Sequence, residues 1–459
     1  MDSGLPGSKI DLVAQGILQQ IATGVLRPGD RVRSIRDEAQ LLGVAKNTVV
    51  DAYIRLVAQG VLQSRPGSGY YVSRGAAAPV RSKISPFAGI PNGAALLTEQ
   101  LERRLLIRPG DGRLPADWLG DAQLRRALSA IKLTSPEAYN YNTARGFPLL
   151  RERLCGTLGE RGIDCTPDQI LMTHGANHAM DLIIRSYVRP GDAVLVDEPG
   201  YYPLFSKLHI AGARIIGVRR QHDGPDVDDF VAKARSSGAL LFFTQSLAHN
   251  PTGGSITLAR AFALLKAAAS EDMLIIEDDP FADILPYATP RLASLDQLER
   301  VIYIGSFSKT LAGSFRSGYI AASRSRTDEL TELAVVTMVS TSAHNERLIH
   351  ALMEQGHYLR HLRRLTLRLA EAVAKTIEGL EGLGFQIARP ANTGFYLWLH
   401  ARDRAAEVDL VADAAKNGIF IAPARAFSVS GEDATTMRIN VAYGSDPTFL
   451  RWLGDRLTA

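Results

Sequence analysis

The chain opens with apolar residues at helical spacing. Ile10, Val13, Ala14, Ile17, Leu18 and Ile21 fall on one face of a 3.6-residue period, which predicts a helix over about 9–22. Gly24 and Pro28-Gly29 stop it. Ser34 is a cap for a second predicted helix, with Asp37 and Glu38 in the first turn favouring its positive end and Gly43 closing it after Leu42. A third helix over about 45–59 puts Val49, Ala52, Tyr53 and Leu56 on one face, with Gly60 behind it. Two short strands follow at 61–64 and 70–72, joined by the turn Arg65-Pro66-Gly67-Ser68-Gly69. Residues 74–95 lose any period and are rich in Ala, Pro, Gly and Ser, the composition of a linker. From about residue 115, apolar runs alternate with helical segments. Ile170–Thr173, Ala193–Val196, Leu240–Thr244, Leu274–Glu277 and Val301–Gly305 predict buried strands, and the helices between them predict a mostly parallel sheet covered on both faces. After Ser323 a long helical stretch leads to a smaller α+β segment with strands over 395–399 and 437–441. The fold class is α/β behind a small helical unit with a hairpin.

Composition narrows the partners. The 459 residues are 46% hydrophobic and 22% charged, ordinary for a globular protein, and the net charge is only +4. Residues 1–75 nevertheless hold nine Lys and Arg against six Asp and Glu, so any nucleic-acid affinity must come from a local patch there. Cys155 and Cys165 offer neither metal spacing nor a disulfide framework, and no metal site is expected. No apolar run approaches the length of a membrane span, so the expected setting is the reducing cytoplasm, with no membrane partner.

Helix, helix, tight turn, helix and hairpin is the order of a winged helix-turn-helix, whose expected partner is double-stranded DNA. Lys46, Asn47 and Thr48 begin the third helix, where short polar side chains reach base edges. Arg33, Arg36 and Arg65 are suited to phosphate, with Ser34 at the start of the second helix. Gly67 and Gly69 keep the wing loop small enough for a minor groove. Pro28-Gly29-Asp30, Ser34-Ile35-Arg36, Gly43-Val44, Thr48-Val49, Ala52-Tyr53, Leu56 and Gly67-Ser68-Gly69-Tyr70-Tyr71-Val72 resemble the GntR family of bacterial regulators over most of residues 9–73. Two positions depart from that family. Val32-Arg33 stands where Leu-Pro is usual, and Ala45 where a hydroxyl often caps the recognition helix, at a cost of about 0.5–2 kcal/mol.

The remaining chain carries parts suited to pyridoxal phosphate (PLP). Lys309, in Ser306-Phe307-Ser308-Lys309 after an apolar strand, is the Schiff-base candidate. A lone lysine is ordinarily a solvated surface residue; the surrounding set reverses that reading. Gly175-Ala176-Asn177 begins a helix and forms a phosphate cup, completed by Ser306, Ser308 and Arg316. Asp278, after the strand at 274–277, is suited to the pyridine nitrogen. Asn250, in Asn250-Pro251-Thr252-Gly253, is suited to the phenolic oxygen, and Tyr201 to the ring face. Tyr141 is placed to reach a phosphate across a dimer interface, and Arg438 to grip an effector carboxylate with two prongs.

Taken in order, Tyr141, Gly175–Asn177, Tyr201, Asn250, Asp278, Lys309, Arg316 and Arg438 resemble a fold-type I, class I/II aminotransferase over about 115–445. One departure stands out: Phe281 occupies a position where many relatives carry a tyrosine donating to the phenolic oxygen. A GntR-like reader joined to such a domain resembles the MocR subfamily of transcriptional regulators. The resemblance implies a reader over 1–75, a linker over 76–100, and a PLP-binding, effector-sensing and dimerisation domain over 101–459. It implies a head-to-tail homodimer that senses a small amine, an amino acid or a B6 vitamer through aldimine chemistry at Lys309. The alternative is a working PLP-dependent aminotransferase with an accessory DNA-binding module.

Overall fold

The computed structural model describes residues 9–22, 25–58, 60–65, 68–73, 93–132, 134, 136–285, 289–387, 394–400, 407–431 and 436–457. The chain divides into two compact units, residues 1–88 and 89–459.

In the first unit, helices α1 (Lys9–Ala22), α2 (Ile35–Leu42) and α3 (Lys46–Ala58) precede an antiparallel hairpin of β1 (Leu62–Arg65) and β2 (Gly69–Val72), paired from Leu62 with Val72 to Arg65 with Gly69. The apolar faces read from the sequence meet in one core: Val13 and Ile17 from α1, Val49, Tyr53 and Leu56 from α3, Leu62 and Val72 from the hairpin. Val32 is buried in the same core, so an aliphatic side chain is what this position needs. Ser34 caps α2, its Oγ accepting from the Asp37 N–H at 3.2 Å. Gly43 closes α2 in the left-handed conformation at φ +61°, its N–H donating to the Ala39 carbonyl. At the start of α3 the Ala45 carbonyl accepts from the Thr48 N–H at 3.0 Å. Pro66 and Gly67 of the wing loop lie outside the described residues.

The second unit is built on an eight-stranded sheet. Its strands are β3 (Ile170–Thr173), β4 (Ala193–Glu198), β5 (Arg214–Gln221), β6 (Gly224–Pro225), β7 (Leu241–Thr244), β8 (Leu274–Asp279), β9 (Val301–Ser306) and β10 (Gly318–Ala321), in the order β3-β10-β9-β8-β7-β4-β5-β6. The run β9-β8-β7-β4-β5 is parallel, while β10 pairs antiparallel with both β3 and β9. The sequence reading found the five buried runs but missed β5, β10 and the two-residue β6. β5 is rich in arginine and only partly buried, and β10 reads Gly-Tyr-Ile-Ala, with a single large aliphatic residue; neither shows the apolar run of a central strand. A second sheet orders β11 (Tyr396–His400), β13 (Thr436–Asn440) and β12 (Ala422–Pro423), alongside the long helix His357–Gly382.

One helix, α4 (Gly93–Glu102), begins inside the range read as linker and runs past its end. Its Leu96 is buried in the core on one side of the large sheet, and Gln100 Nε2 donates to Tyr202 Oη at 2.6 Å. Tertiary packing of one leucine face orders a stretch whose local composition gave no such signal.

The parallel strands bring their C-terminal ends to one edge of the sheet, the usual position of a ligand crevice in open α/β folds. The segment 107–111 runs closely along residues 418–422, which lead into β12 of the second sheet. A Cβ on Gly110 would collide with the backbone of Ile421 and Ala422, and the Gly110 N–H donates to the Phe420 carbonyl at 2.8 Å. Gly110→Ala is therefore expected to destabilise the 89–459 unit by at least about 2 kcal/mol, read as a lowered main thermal transition.

Candidate functional site

At the C-terminal edge of the parallel strands lies a cavity of about 150 Å³. A cavity of that size admits a benzene-like ring. Its walls include Ala176, Asn177, Tyr201, Asn250, Asp278, Ser306, Ser308, Lys309, Arg316 and Arg438. Ten of the residues singled out from the sequence, spread over more than 260 positions, thus converge on one space. Gly175 stands beside it as the N-terminal cap of the helix Ala176–Tyr187. Tyr141 does not join them: its side chain is exposed, and it does not line the cavity.

Each wall has its own chemistry. The cup begins at Gly175, held at φ +83°, and no side chain caps the helix that follows. A Cβ on Gly175 would meet Arg316 Nη2 at 3.3 Å, so glycine lets the guanidinium lie across the helix start. Arg316 is anchored there by donation from Nη2 to the His174 carbonyl at 2.9 Å. Ser306 Oγ accepts from the Ser308 N–H at 3.2 Å. Backbone N–H groups at an uncapped helix start, two hydroxyls and an arginine together suit a dianion.

Lys309 donates from Nζ to the Gly112 carbonyl. Burial, then the neighbouring Arg438, lowers its pKa to about 8. Asp278, at the end of β8, is buried; its Oδ2 accepts from Gln245 Nε2 at 2.6 Å. Its Oδ1 meets no donor among the described residues. Burial raises its pKa to about 7, against the pull of the Gln245 hydrogen bond. Asn250 donates from its backbone N–H to Gln245 Oε1 at 2.8 Å, and its Oδ1 accepts from Arg438 Nη1 at 2.9 Å. That leaves the Asn250 Nδ2 group as the donor of the amide. Arg438 is 1% exposed, donates from Nη2 to the Gly110 carbonyl at 2.7 Å, and lies 4.4 Å from the Tyr396 ring centre and 5.0 Å from that of Phe427.

Phe281 lines the cavity as an apolar wall, packed edge-on against Phe395 at 4.7 Å between ring centres. It brings no hydroxyl. The sequence reading missed Tyr396, a phenol in the same cavity whose Oη donates to the Gly112 carbonyl at 2.9 Å. It also missed Gln245, Tyr202 and Gln100. Gln245 alone had a usable signal, standing directly after the strand Leu241–Thr244 that leads to Asn250.

On the first unit, Arg33, Ser34, Arg36, Lys46, Asn47 and Arg65 are exposed, and Thr48 and Gly69 are half-buried. Arg33 lies 3.5 Å from buried Glu38, and Arg65 stacks on Tyr71 at 4.4 Å. The basic side chains therefore stand at the start of α2, the start of α3 and the base of the wing.

The fold and cavity define an aminotransferase-like domain behind a helix-turn-helix reader. Comparison with known proteins agrees. Residues 114–453 match the model of the aminotransferase class I and II family, and residues 9–72 that of the bacterial regulatory proteins of the gntR family. The transcriptional regulator TauR of Rhodobacter capsulatus is 31% identical over 452 residues, covering 92% of this chain and 90% of its own. The probable rhizopine catabolism regulatory protein MocR of Rhizobium meliloti is 29% identical over 365 residues, covering 77% and 73%. An archaeal alanine:glyoxylate aminotransferase shares the fold of the larger part, with a TM-score of 0.73 and 24% identity over 82% of this chain and 95% of its own. The chain belongs to the MocR-type transcriptional regulators, a gntR-family helix-turn-helix joined to an aminotransferase class I and II domain. GntR-type regulators bind DNA, and the aminotransferase family implies pyridoxal phosphate as cofactor. No described helix is long and apolar enough to cross a membrane.

The cavity fits that cofactor on its own terms. The unpartnered Asp278 Oδ1 lacks the donor that a protonated pyridine nitrogen supplies, and the uncapped helix start beside Arg316 suits its phosphate. A pH dependence follows. In the cofactor-free protein Asp278 titrates near pH 7 instead of 3.8, so the folded state holds more protons than the unfolded one between those values. Its contribution to stability is therefore lost as pH rises from about 4 to 7. Asp278→Asn, which keeps an oxygen for Gln245, is expected to flatten that loss in urea unfolding of the cofactor-free protein at pH 5 and pH 8, and to weaken PLP binding.

Proposed function

We propose that this regulator senses a small amine, an amino acid or a B6 vitamer through PLP held at Lys309, and passes that state to DNA through its N-terminal reader. The observation that carries the reading is the convergence of Lys309, Asp278, Asn250, the Ser306–Ser308–Arg316 cup and Arg438 on one cavity. Bound PLP supplies a carbonyl carbon open to exchange between amines and a ring that withdraws electrons. Ala176, Asn177, Ser306, Ser308 and Arg316 are assigned to its phosphate, Asp278 to its pyridine nitrogen, Asn250 to its phenolic oxygen, and Tyr201 to its ring face. Lys309, its pKa lowered to about 8, has a larger neutral fraction near neutrality than an exposed lysine, as a nucleophilic amine requires.

Arg438 is assigned to an effector carboxylate. Its two terminal nitrogens are already used by Asn250 and Gly110, while its Nε has no partner among the described residues. An arriving carboxylate must re-partner this guanidinium, and Asn250 Oδ1 and the Gly110 carbonyl are the groups released. Such a change of contacts between bound and free states is the differential interaction that ligand-controlled regulation requires.

We further assign residues 1–75 to the reader, 76–100 to the connection, which takes in all but the last two residues of α4, and 101–459 to the sensor. The assembly is a head-to-tail homodimer in the cytoplasm, in which exposed Tyr141 reaches the phosphate of the other subunit. On DNA, Lys46, Asn47 and Thr48 face base edges, Arg33, Arg36 and Arg65 face phosphates, and Ser34, Gly67 and Gly69 shape the approach.

Two experiments test this. Purified protein is titrated with a panel of amines and amino acids while the visible absorbance of bound PLP is followed. A persistent shift that also changes operator affinity supports the sensor, and Lys309→Ala is expected to abolish both. An effector response intact in Lys309→Ala overturns it, and steady production of a 2-oxo acid from an amino donor favours an aminotransferase instead. On the DNA side, Arg65→Ala is expected to weaken binding evenly across sequences and lower the salt slope by about 1, while Asn47→Ala relaxes sequence preference in a competition assay.

A further inference from the structure

Gln245 lines the cavity, yet the constellation above leaves it without a role. It follows β7 directly. The parallel register sets Thr244 beside Glu277, so the next residues on the two strands, Gln245 and Asp278, come side by side. Its side chain is 5% exposed, and its amide is used in two opposite senses. Nε2 donates to Asp278 Oδ2 at 2.6 Å, and Oε1 accepts from the Asn250 N–H at 2.8 Å. A backbone N–H can only donate, so the oxygen must face Asn250 and the NH2 group must face Asp278. The orientation of this amide is fixed by its partners.

We propose that Gln245 is a positioning residue for the cofactor, one neutral amide that holds the Asp278 carboxylate and the Asn250 backbone in a fixed relation. The proposal rests on the reading of this cavity as a PLP site. Its logic lies in what glutamine is not. A lysine or arginine here would neutralise Asp278 and remove its demand for a pyridine proton. A glutamate would set a second carboxylate against the first. A leucine would leave Asp278 Oδ2 and the Asn250 N–H without partners, at the usual cost of stranded buried polar groups. Glutamine donates a hydrogen bond without a charge, and the charge of Asp278 is then met by the pyridine. The same amide closes a chain that runs from Arg438 Nη1 to Asn250 Oδ1, from the Asn250 N–H to Gln245 Oε1, and from Gln245 Nε2 to Asp278. The guanidinium assigned to the effector and the carboxylate assigned to the ring nitrogen are the two ends of that chain.

The other ionisable groups around Asp278 are Asp279 on its own strand, Lys309 across the cavity and Tyr201 in the segment after β4. Asp197 and His249 line a smaller cavity of about 20 Å³ to which Asp278 and Gln245 also contribute. All of them stay in place in the test.

The full-length protein is compared with Gln245→Leu and the near-isosteric Gln245→Glu. The readouts are the PLP dissociation constant, from equilibrium dialysis, and the pH midpoint of the visible absorbance of bound PLP. Both variants are expected to bind PLP about tenfold more weakly, the loss of one hydrogen bond to a charged group. The midpoint is expected to rise by about one unit, because Asp278 without its donor is a stronger base and offsets more of the positive charge of the ring. A residue that only packs would lower thermal stability and leave the midpoint where it is. Folded variants with an unchanged midpoint overturn the positioning role and leave the cofactor reading intact. Wild-type protein that does not bind PLP overturns both.

Discussion

Asp278 is a carboxylate taken out of water with a neutral amide as its hydrogen-bond partner. Burial pushes its pKa up to about 7, Gln245 occupies one oxygen, and the other meets no donor among the described residues. A buried carboxyl in that position stays ionised only if a cation arrives to meet it. The surrounding architecture follows from this demand. Parallel strands carry Asp278, Gln245 and the lead-in to Lys309 to the same sheet edge, and the turns beyond them bring in Asn250, Ser306 and Ser308. The sheet supplies rigidity that loops alone would not, so the groups around the cavity are held in place.

Arg438 poses the opposite problem, a buried guanidinium proposed to exchange its partners for an effector carboxylate. Among the described residues no carboxylate pairs with it. The Asn250 amide and the Gly110 carbonyl take the two terminal nitrogens, and two aromatic faces cover the planar group. A buried ion pair would hold the arginine more firmly but would already fill the place of an acidic ligand. Neutral acceptors leave the charge uncompensated and therefore available. Phe281 walls the same cavity with its ring packed edge-on against Phe395, and it brings no hydroxyl there.

Much of this was legible beforehand because each of the assigned groups follows a strong local signal. Lys309, Asp278 and Asn250 each come after a run of buried residues that reads as a central strand, and Gly175 opens a helix after another. The reader was legible for the same reason: its caps at Ser34 and Gly43 and its apolar faces are local properties. What escaped has no local signature. Strand β10, Gly-Tyr-Ile-Ala, carries a single large aliphatic residue, and α4 is ordered by the packing of Leu96 on a surface formed elsewhere in the chain. Tyr396 and Gln100 reach the cavity from remote segments. Tyr141, singled out for a phosphate across a dimer interface, is exposed and does not line this chain's own cavity.

The sequence by itself determined the two-part organisation, the types of the main elements and the identity of the ionisable groups, because periodicity, caps and turns act over a few residues. Only the tertiary structure decided which of those groups touch. That Gln245 joins Asn250 to Asp278, that Arg438 is held by neutral acceptors, and that Asp278 keeps an unpartnered oxygen are consequences of strand register and of loops closing across more than a hundred residues. Hydrogen-bond partnership depends on distances of tenths of an ångström, and those distances are set by the packed core as a whole rather than by any stretch of chain.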